Sequence, residues 1–449
     1  MSSEWRSYRL DEAGLIVTGK TPKGNVAEYV GRDVPFVTPP DFDGSKWIDE
    51  TARRISKAGA LSVKSSIVPA GSVLVTCIGS DMGKAALTRS SCVTNQQINA
   101  VVVDENRFCP EFLYYNLSLR KDEIRGLAGG SAQPILNKSA FGQVRFDCPP
   151  LLQQKAIAAA VGPLDNRITL LRETNATLEA IAQALFKSWF VDFDPVHARA
   201  RGEEPAGLAP EIAALFPDSF EESEVGLVPK GWKFMPFGEL LSHTIGGDWG
   251  DEAPNDKNDT QVAIIRGTDM PGLQSGMIGR VPVRYTSQKK LASRKLQDGD
   301  LVLEVSGGSK DQPTGRSLYM TNGLLDQFNC PVEPASFCRL LRPASHDLGV
   351  LLSQHMTYIY ADGKTWQYQN QSTGIANFQT THFLETELVA VPTDDVLKSF
   401  AEIVRSMIDR SHLTQIAQLA TLRDTLLPRL ISGQLRLPEA EAMFREAQK

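Results

Sequence analysis

From Leu151 onward, apolar positions recur at alternating steps of four and three: Ile157, Val161, Leu164, Ile168, Leu171, Leu178, Ala182, Leu185 and Trp189, with Asn175 filling the one gap. A heptad seam of this length predicts a long helix that lays a narrow apolar stripe on a partner helix. Residues 165–190 alone would span about 39 Å at 1.5 Å per residue. Gly162-Pro163 falls early in the run, where a kink or a break is expected. The pattern returns near the end of the chain. Ile408, His412, Gln415, Leu419, Leu422 and Leu426 hold the positions of Leu164, Ile168, Leu171, Asn175, Leu178 and Ala182. Where one seam is polar the other is apolar, so the two helices are expected to pack on each other antiparallel, as a coiled-coil spacer between globular halves. The alternative is that each helix caps its own domain. A polar Asn175 on an apolar seam is the kind of residue that fixes register.

Outside these seams the pattern is mixed. Ser72–Ile78 and Ala100–Val103 are β-branched runs bounded by Gly, Pro or Asn, which predicts short strands. A helix is expected around Phe112–Arg125. Residues 1–150 therefore form one strand-rich α+β domain. Residues 151–193 form the first helix region and 194–230 a proline-rich acidic linker with a short helix near Glu211–Phe216. Residues 231–393 form a second domain, 394–432 the second helix region and 433–449 a short polar tail. The two halves are related. Trp5 and Gly19 reappear as Trp232 and Gly246 at a constant shift of 227 (232 − 5; 246 − 19), and Ala176-Thr177-Leu178 reappears as Ala420-Thr421-Leu422 at a shift of 244 (420 − 176). Fixed-offset self-similarity indicates a duplicated structural unit. The expected architecture is α+β with pseudo-twofold symmetry, and divergence between the copies points to two related tasks.

Composition narrows the class. The chain has 449 residues, 42% of them hydrophobic, enough for packed cores. No run approaches the roughly 18 apolar residues of a membrane helix, and the N-terminus has no apolar signal core, so a cytoplasmic protein is expected. Six cysteines without a C-x-x-C pair read as buried thiols. The net charge of −6 weighs against a simple nucleic-acid binder without excluding one, because local fields outweigh totals.

Gly14-Leu15-Ile16-Val17-Thr18-Gly19-Lys20-Thr21 satisfies the phosphate-loop pattern G-x-x-x-x-G-K-[ST]. That loop requires a helix beginning at the Lys-Thr. Pro22 and the turn-like Lys23-Gly24-Asn25 follow instead, and the loop interior is bulky. A P-loop NTPase, or a nuclease acting on nucleic acid, is thus only the alternative reading. The six histidines are scattered without metal-ligand spacing, no G-x-S-x-G elbow occurs, and neither a catalytic residue nor a metal site is expected.

Two long stretches carry a family resemblance. Ala180–Val196, continued by Leu215–Phe220 and Gly226–Trp232, and the closing Leu422–Gly433, resemble the centre and end of the specificity subunit of Type I restriction–modification enzymes. Gly19-Lys20-Thr21-Pro22 and Thr38-Pro39-Pro40-Asp41-Phe42 resemble the opening of that family's target recognition domains. The second copy departs to Gly246-Gly247-Asp248-Trp249-Gly250 and Ile265-Arg266-Gly267-Thr268-Asp269. The resemblance implies two target recognition domains, each reading half of an asymmetric bipartite sequence in double-stranded DNA. It also implies helices that set the gap and dock two modification (methyltransferase) subunits. S-adenosylmethionine, ATP and Mg would then reside on those subunits and on restriction/translocase subunits. The chain itself would hold no cofactor and do no chemistry.

Phosphate contacts need Lys, Arg and small polar groups, and base reading needs Arg, Asn or Gln forks. In the first domain these are Lys20, Thr21, Lys23, Arg53, Arg54, Lys57, Ser131 and Gln133. In the second they are Trp249, Arg266, Lys289, Lys290, Arg294, Lys310, Arg316, Gln369 and Gln371.

Overall fold

The computed structural model describes the chain except residues 1–4, 80, 129–134, 277, 280, 309–311, 373–374, 414, 441–442 and 444–449. The chain folds as two units. The first comprises Met1–Thr169 with Leu419–Lys449, and the second Leu170–Gln418. Each is a strand-rich α+β body with long helical segments.

In the first unit, Arg6–Arg9 pairs antiparallel with Arg145–Cys148. A five-stranded sheet runs in the order Gly14–Thr18, Ile98–Val103, Val73–Thr76, Ala85–Thr88, Trp47–Ile48. A second sheet places Val30–Val37 between Arg54–Ile55 (antiparallel) and Cys92–Thr94 (parallel). All four residues of Val73–Thr76 are buried, as expected for a central strand covered on both faces.

The second unit repeats the central strands of this plan, with one strand fewer in each of the two sheets. Lys233–Pro236 pairs with Leu388–Val391. A four-stranded sheet runs Leu241–Gly246, Cys338–Pro343, Leu301–Glu304, Ser317–Tyr319. Thr260–Ile265 lies between Val283–Thr286 (antiparallel) and Val332–Pro334 (parallel). Gly14 and Leu241 open corresponding strands at the shift of 227 (241 − 14). A register irregularity between Leu241 and His243 then adds one residue. Beyond it the shift is 228. Gly19 N–H donates to the Ile98 carbonyl and Lys20 N–H to that of Thr94, while Gly247 donates to Cys338 and Asp248 to Pro334. Gly19 thus corresponds to Gly247, not to Gly246 as the sequence alignment had it. A Cβ on Gly19 would lie 1.9 Å from the Asn95 carbonyl oxygen, and one on Gly247 would lie 2.2 Å from that of Ala335, whereas Gly246 has open space around it. Close approach of two backbones makes glycine necessary at those two positions. The Pro-rich element and its replacement also converge: Asp41 accepts from Thr38 N–H and Asp269 from Arg266 N–H, each closing a short 3-10 turn.

The first long helix runs unbroken from Leu151 to Phe186 and includes Pro163. The expected break at Gly162-Pro163 does not form. Pro163 points to solvent while Val161 and Leu164 are buried, and their packing offsets the lost backbone hydrogen bond. In the first unit, Ile157, Ala158 and Val161 share a core with Leu426, Leu427 and Leu430 of the helix Gln415–Ile431, and Leu422 packs against it. Asp165 accepts from Arg423 Nη1 at 3.0 Å. In the second unit, Asn175 Nδ2 donates to the Ser411 carbonyl at 3.0 Å and Phe186 meets Phe400. Partner numbers fall as helix numbers rise, so the pairing there is antiparallel.

The seam residues Ile157, Val161, Leu164, Ile168, Leu171 and Asn175 are buried, and Leu178 and Leu185 are half-buried. Toward the helix end Ala182, Phe186 and Trp189 carry the packing, because a straight 3.6-residue helix drifts out of a strict heptad. The second helix region is two helices, Asp394–Ser411 and Gln415–Ile431. Ile408, Leu419 and Leu422 are half-buried and Leu426 is buried. Gln415, placed on the seam by spacing, is exposed, and Ile416 is buried instead. The turn at His412 shifts the phase. His412 is itself buried, shares a hydrogen bond with Thr321 Oγ1 through Nδ1, and burial pushes its pKa down to about 4. Asn175 therefore caps the carbonyl end of a helix rather than meeting a seam partner.

The proline-rich stretch 194–230 forms helices Asp194–Ala200 and Pro210–Ala213 and the hairpin Phe220–Ser223/Gly226–Pro229. Val196, Phe216 and Val228 enter the same core as Trp189 and Trp232. No helix among the described residues is long and apolar enough to cross a membrane.

Candidate nucleic-acid interface

The segment after the strand Gly14–Thr18 leaves the sheet extended, with no helix at Lys20-Thr21, and Thr21 Oγ1 donates to Gln96 Oε1. No free helix N-terminus faces a phosphate here, so the phosphate-loop pattern is accounted for by close strand packing at Gly14 and Gly19. Among the described residues no group of three or more His, Cys, Asp or Glu is arranged to hold a metal ion. The cysteines are all free thiols, and burial pushes those of Cys92, Cys148 and Cys338 up to about 12.

In the first unit the fold gathers four of the eight sequence-derived candidates. A cleft of about 530 Å³ is lined by Thr21, Lys23, Arg53 and Arg54, together with Arg32 and the aromatic ring of Phe36. The Arg53 guanidinium lies 5.1 Å from the centre of the Phe36 ring. Arg54 is held by its own unit: Nε and Nη2 donate to the carbonyls of Arg32 and Asp33. Lys20 and Lys57 are exposed outside the cleft lining, and Lys57 opens a helix capped by Ser56 Oγ. Among the described residues Lys20, Lys23, Arg32, Arg53 and Lys57 form no ion pair. Ser131 and Gln133 lie outside the described residues. Arg32 was missed by sequence reasoning because an isolated arginine carries no signal until the strand Val30–Val37 brings it beside Arg54.

The second unit treats its cations differently. Arg266 is held in a bidentate pair by Asp269 at 2.7 and 2.9 Å, which raises its pKa further. Lys290 Nζ pairs with Asp248 Oδ2 at 2.9 Å. Arg294 donates to the Gly246 carbonyl and Arg316 to that of Gly267. The exposed Trp249 is covered on one side by Arg284 at 5.0 Å, and Arg284 pairs with Glu252. Gln369 Oε1 accepts from Thr314 N–H and Oγ1, so the acceptor side of its amide is used within the unit. Lys289 is exposed and forms no ion pair among the described residues. Lys310 and the side chain of Gln371 lie outside them. The structure thus brings Lys290 to Asp248 and Arg294 to the neighbouring Gly246 carbonyl, and gives Arg316 and Gln369 one contact group each within the unit.

Two buried glutamates of this unit have opposite fates. Burial alone would raise Glu387, but His355, Lys364 and Tyr368 donate to its carboxylate and hold it down to about 2. Glu333 is fully buried, neither carboxylate oxygen has a hydrogen-bond partner, and burial followed by the charge of Asp248 pushes it up to about 7 against Arg294 and Lys290.

The Type I restriction modification DNA specificity domain family matches residues 2–180. The specificity subunit of the MjaIX Type I restriction enzyme of Methanocaldococcus jannaschii is 25% identical over 97% of this chain and 94% of its own length. Residues 2–180 thus match a Type I restriction modification DNA specificity domain, and along its length the chain is similar to a Type I specificity subunit. The HindI specificity subunit of Haemophilus influenzae is 34% identical over 38% of each chain. The crystal structure of a Type I restriction–modification system S subunit from M. genitalium shares the fold, with a TM-score of 0.57 at 15% identity over 96% of both chains.

Proposed function

We propose that this chain reads an asymmetric bipartite sequence in duplex DNA, one strand-rich unit per half-site, and serves as the platform on which methyltransferase and restriction subunits assemble. The observation that carries this reading is one topology built twice with chemically different tips: unpaired cations around a cleft in the first unit, an acid–lysine pair in the second. A repeated reader with unlike faces suits an asymmetric object. The name of its relatives, specificity subunits of Type I restriction enzymes, supports the same reading.

In this reading the chain is non-catalytic and works in the cytoplasm. Two methyltransferase subunits bring S-adenosylmethionine, and restriction/translocase subunits bring ATP and Mg²⁺. The long helix and its antiparallel partners set the unread gap between half-sites, since half-site spacing follows protein geometry. The test is the adenine-methylation pattern of DNA exposed to this chain assembled with its methyltransferase subunits. The expected result is a split motif with a fixed gap. Contiguous or sequence-independent methylation overturns the reading, and ATP or DNA turnover by the chain alone favours an NTPase or nuclease instead. Inserting about two helical turns into both helix regions is expected to lengthen the gap.

A further inference from the structure

The backbone hydrogen bonds that align the two units place Asp248 where the first unit has Lys20, and Glu333 where it has Val93. The pairing Phe36–Val93 corresponds to Ile264–Glu333 at the same shifts, 228 (264 − 36) and 240 (333 − 93) that relate Gly19 to Gly247 and Ile98 to Cys338. Both Val93 and Glu333 have no solvent exposure. A valine satisfies that core position, so a carboxylic acid there is not a packing requirement. It has no hydrogen-bond partner and is felt electrostatically by Asp248, Lys290 and Arg294. Asp248 is anchored through its backbone N–H on the Pro334 carbonyl, next to Glu333. Its recorded side-chain contacts, Lys290 Nζ at 2.9 Å and Thr286 Oγ1 at 3.4 Å, both fall on Oδ2. Oδ1 is left for a donor from outside, and Trp249 stands beside it, partly exposed.

A carboxylate on a surface that meets DNA opposes the phosphates. It is tolerable where a base presents a hydrogen-bond donor, and in the major groove the donors are the exocyclic amino groups of cytosine and adenine. We propose that Asp248 is a specificity-determining residue of the second unit, its carboxylate accepting a hydrogen bond from an exocyclic amino group of one base, with Lys290 as its counter-ion in the free protein. The inference rests on the DNA-reading function above. When DNA binds, Lys290 exchanges Asp248 for a phosphate, so that the pair separates into one base contact and one backbone contact. Thr286 and the backbone bond to Pro334 keep Asp248 in place during the exchange. Lys20, on the same backbone position in the first unit, forms no ion pair among the described residues and meets phosphate or a purine acceptor edge.

The test uses the chain assembled with its methyltransferase subunits on a duplex library randomised across both half-sites. In the unaltered complex one base pair of one half-site is expected to be fixed as an amino-bearing base, cytosine or adenine, and the library shows which. Asp248→Asn removes the charge but keeps the shape and accepts as well as donates. It is expected to relax that one position by about tenfold or more, the discrimination a single good base contact carries, and to leave the other half-site unchanged. Lys290→Ala is expected to weaken binding and to lower its salt dependence by about one unit of slope without changing base preference. Full retention of preference in Asp248→Asn, or equal relaxation at both half-sites, overturns the proposal while leaving the function intact. Absence of any split preference in the unaltered complex overturns the function itself.

Discussion

Lys20 and Asp248 occupy one place in two copies of the same fold, as do Val93 and Glu333, and at the same shift Lys23 aligns with Asp251. Around the cleft of the first unit, Lys23, Arg32 and Arg53 form no ion pair among the described residues. The second presents acids that hold its cations: Asp248 keeps Lys290, Asp269 keeps Arg266, and Asp251 is itself held below the usual carboxylate range by the amides of Asn258 and Asn255. Duplication conserved the backbone pattern and released the tips. Free cations favour a polyanion indiscriminately, whereas paired ones must first exchange partners, so in the proposed DNA-reading role the two units would divide affinity and discrimination unequally.

The helical repeats differ in the same way. Asp165 is nearly buried, accepts from Tyr115 Oη at 2.6 Å and from Arg423, while its counterpart Asp409 is half exposed and meets only Arg405. Asp165→Ala takes the buried carboxylate from Tyr115 and leaves the partly buried Arg423 with the exposed Asp424, and is expected to cost about 3 kcal/mol of unfolding free energy, the low end for breaking a buried pair. Asp409→Ala is expected to cost less than about 1 kcal/mol. Equal losses in denaturant unfolding would show that the two copies do not differ in this respect.

The charge comparison comes next in size. Lys23→Ala, Arg32→Ala and Arg53→Ala combined are expected to lower DNA affinity about a hundredfold at moderate salt and to flatten its salt dependence by about two to three units of slope. Lys289→Ala with Lys290→Ala is expected to remove only about one unit, because Lys290 gives up Asp248 to reach the phosphate. Titrations at four or five salt concentrations measure both, and a larger slope change in the second unit would reverse the division of labour.

Buried Glu333 gives a smaller, pH-dependent effect than the buried Asp165 pair and a clean control. Its carboxyl stands at about 7 in the folded chain against an ordinary 4.5, so the proton is bound more tightly folded than unfolded. The stability it contributes is complete below pH 4.5 and is lost as pH rises through about 7, amounting to about 1–3 kcal/mol. Glu333→Gln is expected to remove that decline between pH 4.5 and 7. Parallel pH profiles for the two proteins would place an ionised Glu333 in the fold.

Much of this was legible in the chain. The duplication, the long helix, the buried run from Ile157 to Asn175, and the irrelevance of the Gly14–Thr21 pattern all follow from local spacing and turn chemistry. Other features were invisible for specific reasons. One extra residue near His243 moved the true partner of Gly19 from Gly246 to Gly247, and only the hydrogen-bond ladder reveals the slip. The turn at His412 exchanged Gln415 for Ile416 on the packed face, because a buried histidine bound to Thr321 outweighed helix continuation. Arg266 and Arg316 carry donor forks of the DNA-reading type, and only the fold shows that Arg266 is paired with Asp269 and that Arg316 Nη1 donates to the Gly267 carbonyl.

Sequence by itself determined that this protein has two related strand-rich bodies and long apolar-striped helices, because periodicity and repeats are written in consecutive residues. Only the tertiary structure decided which charges are free. Whether Lys23 is available to a partner and Lys290 is not depends on which carboxylate the fold carries to within 3 Å of it, and residues 42 positions apart, as Asp248 and Lys290 are, meet through sheet geometry that no local pattern encodes.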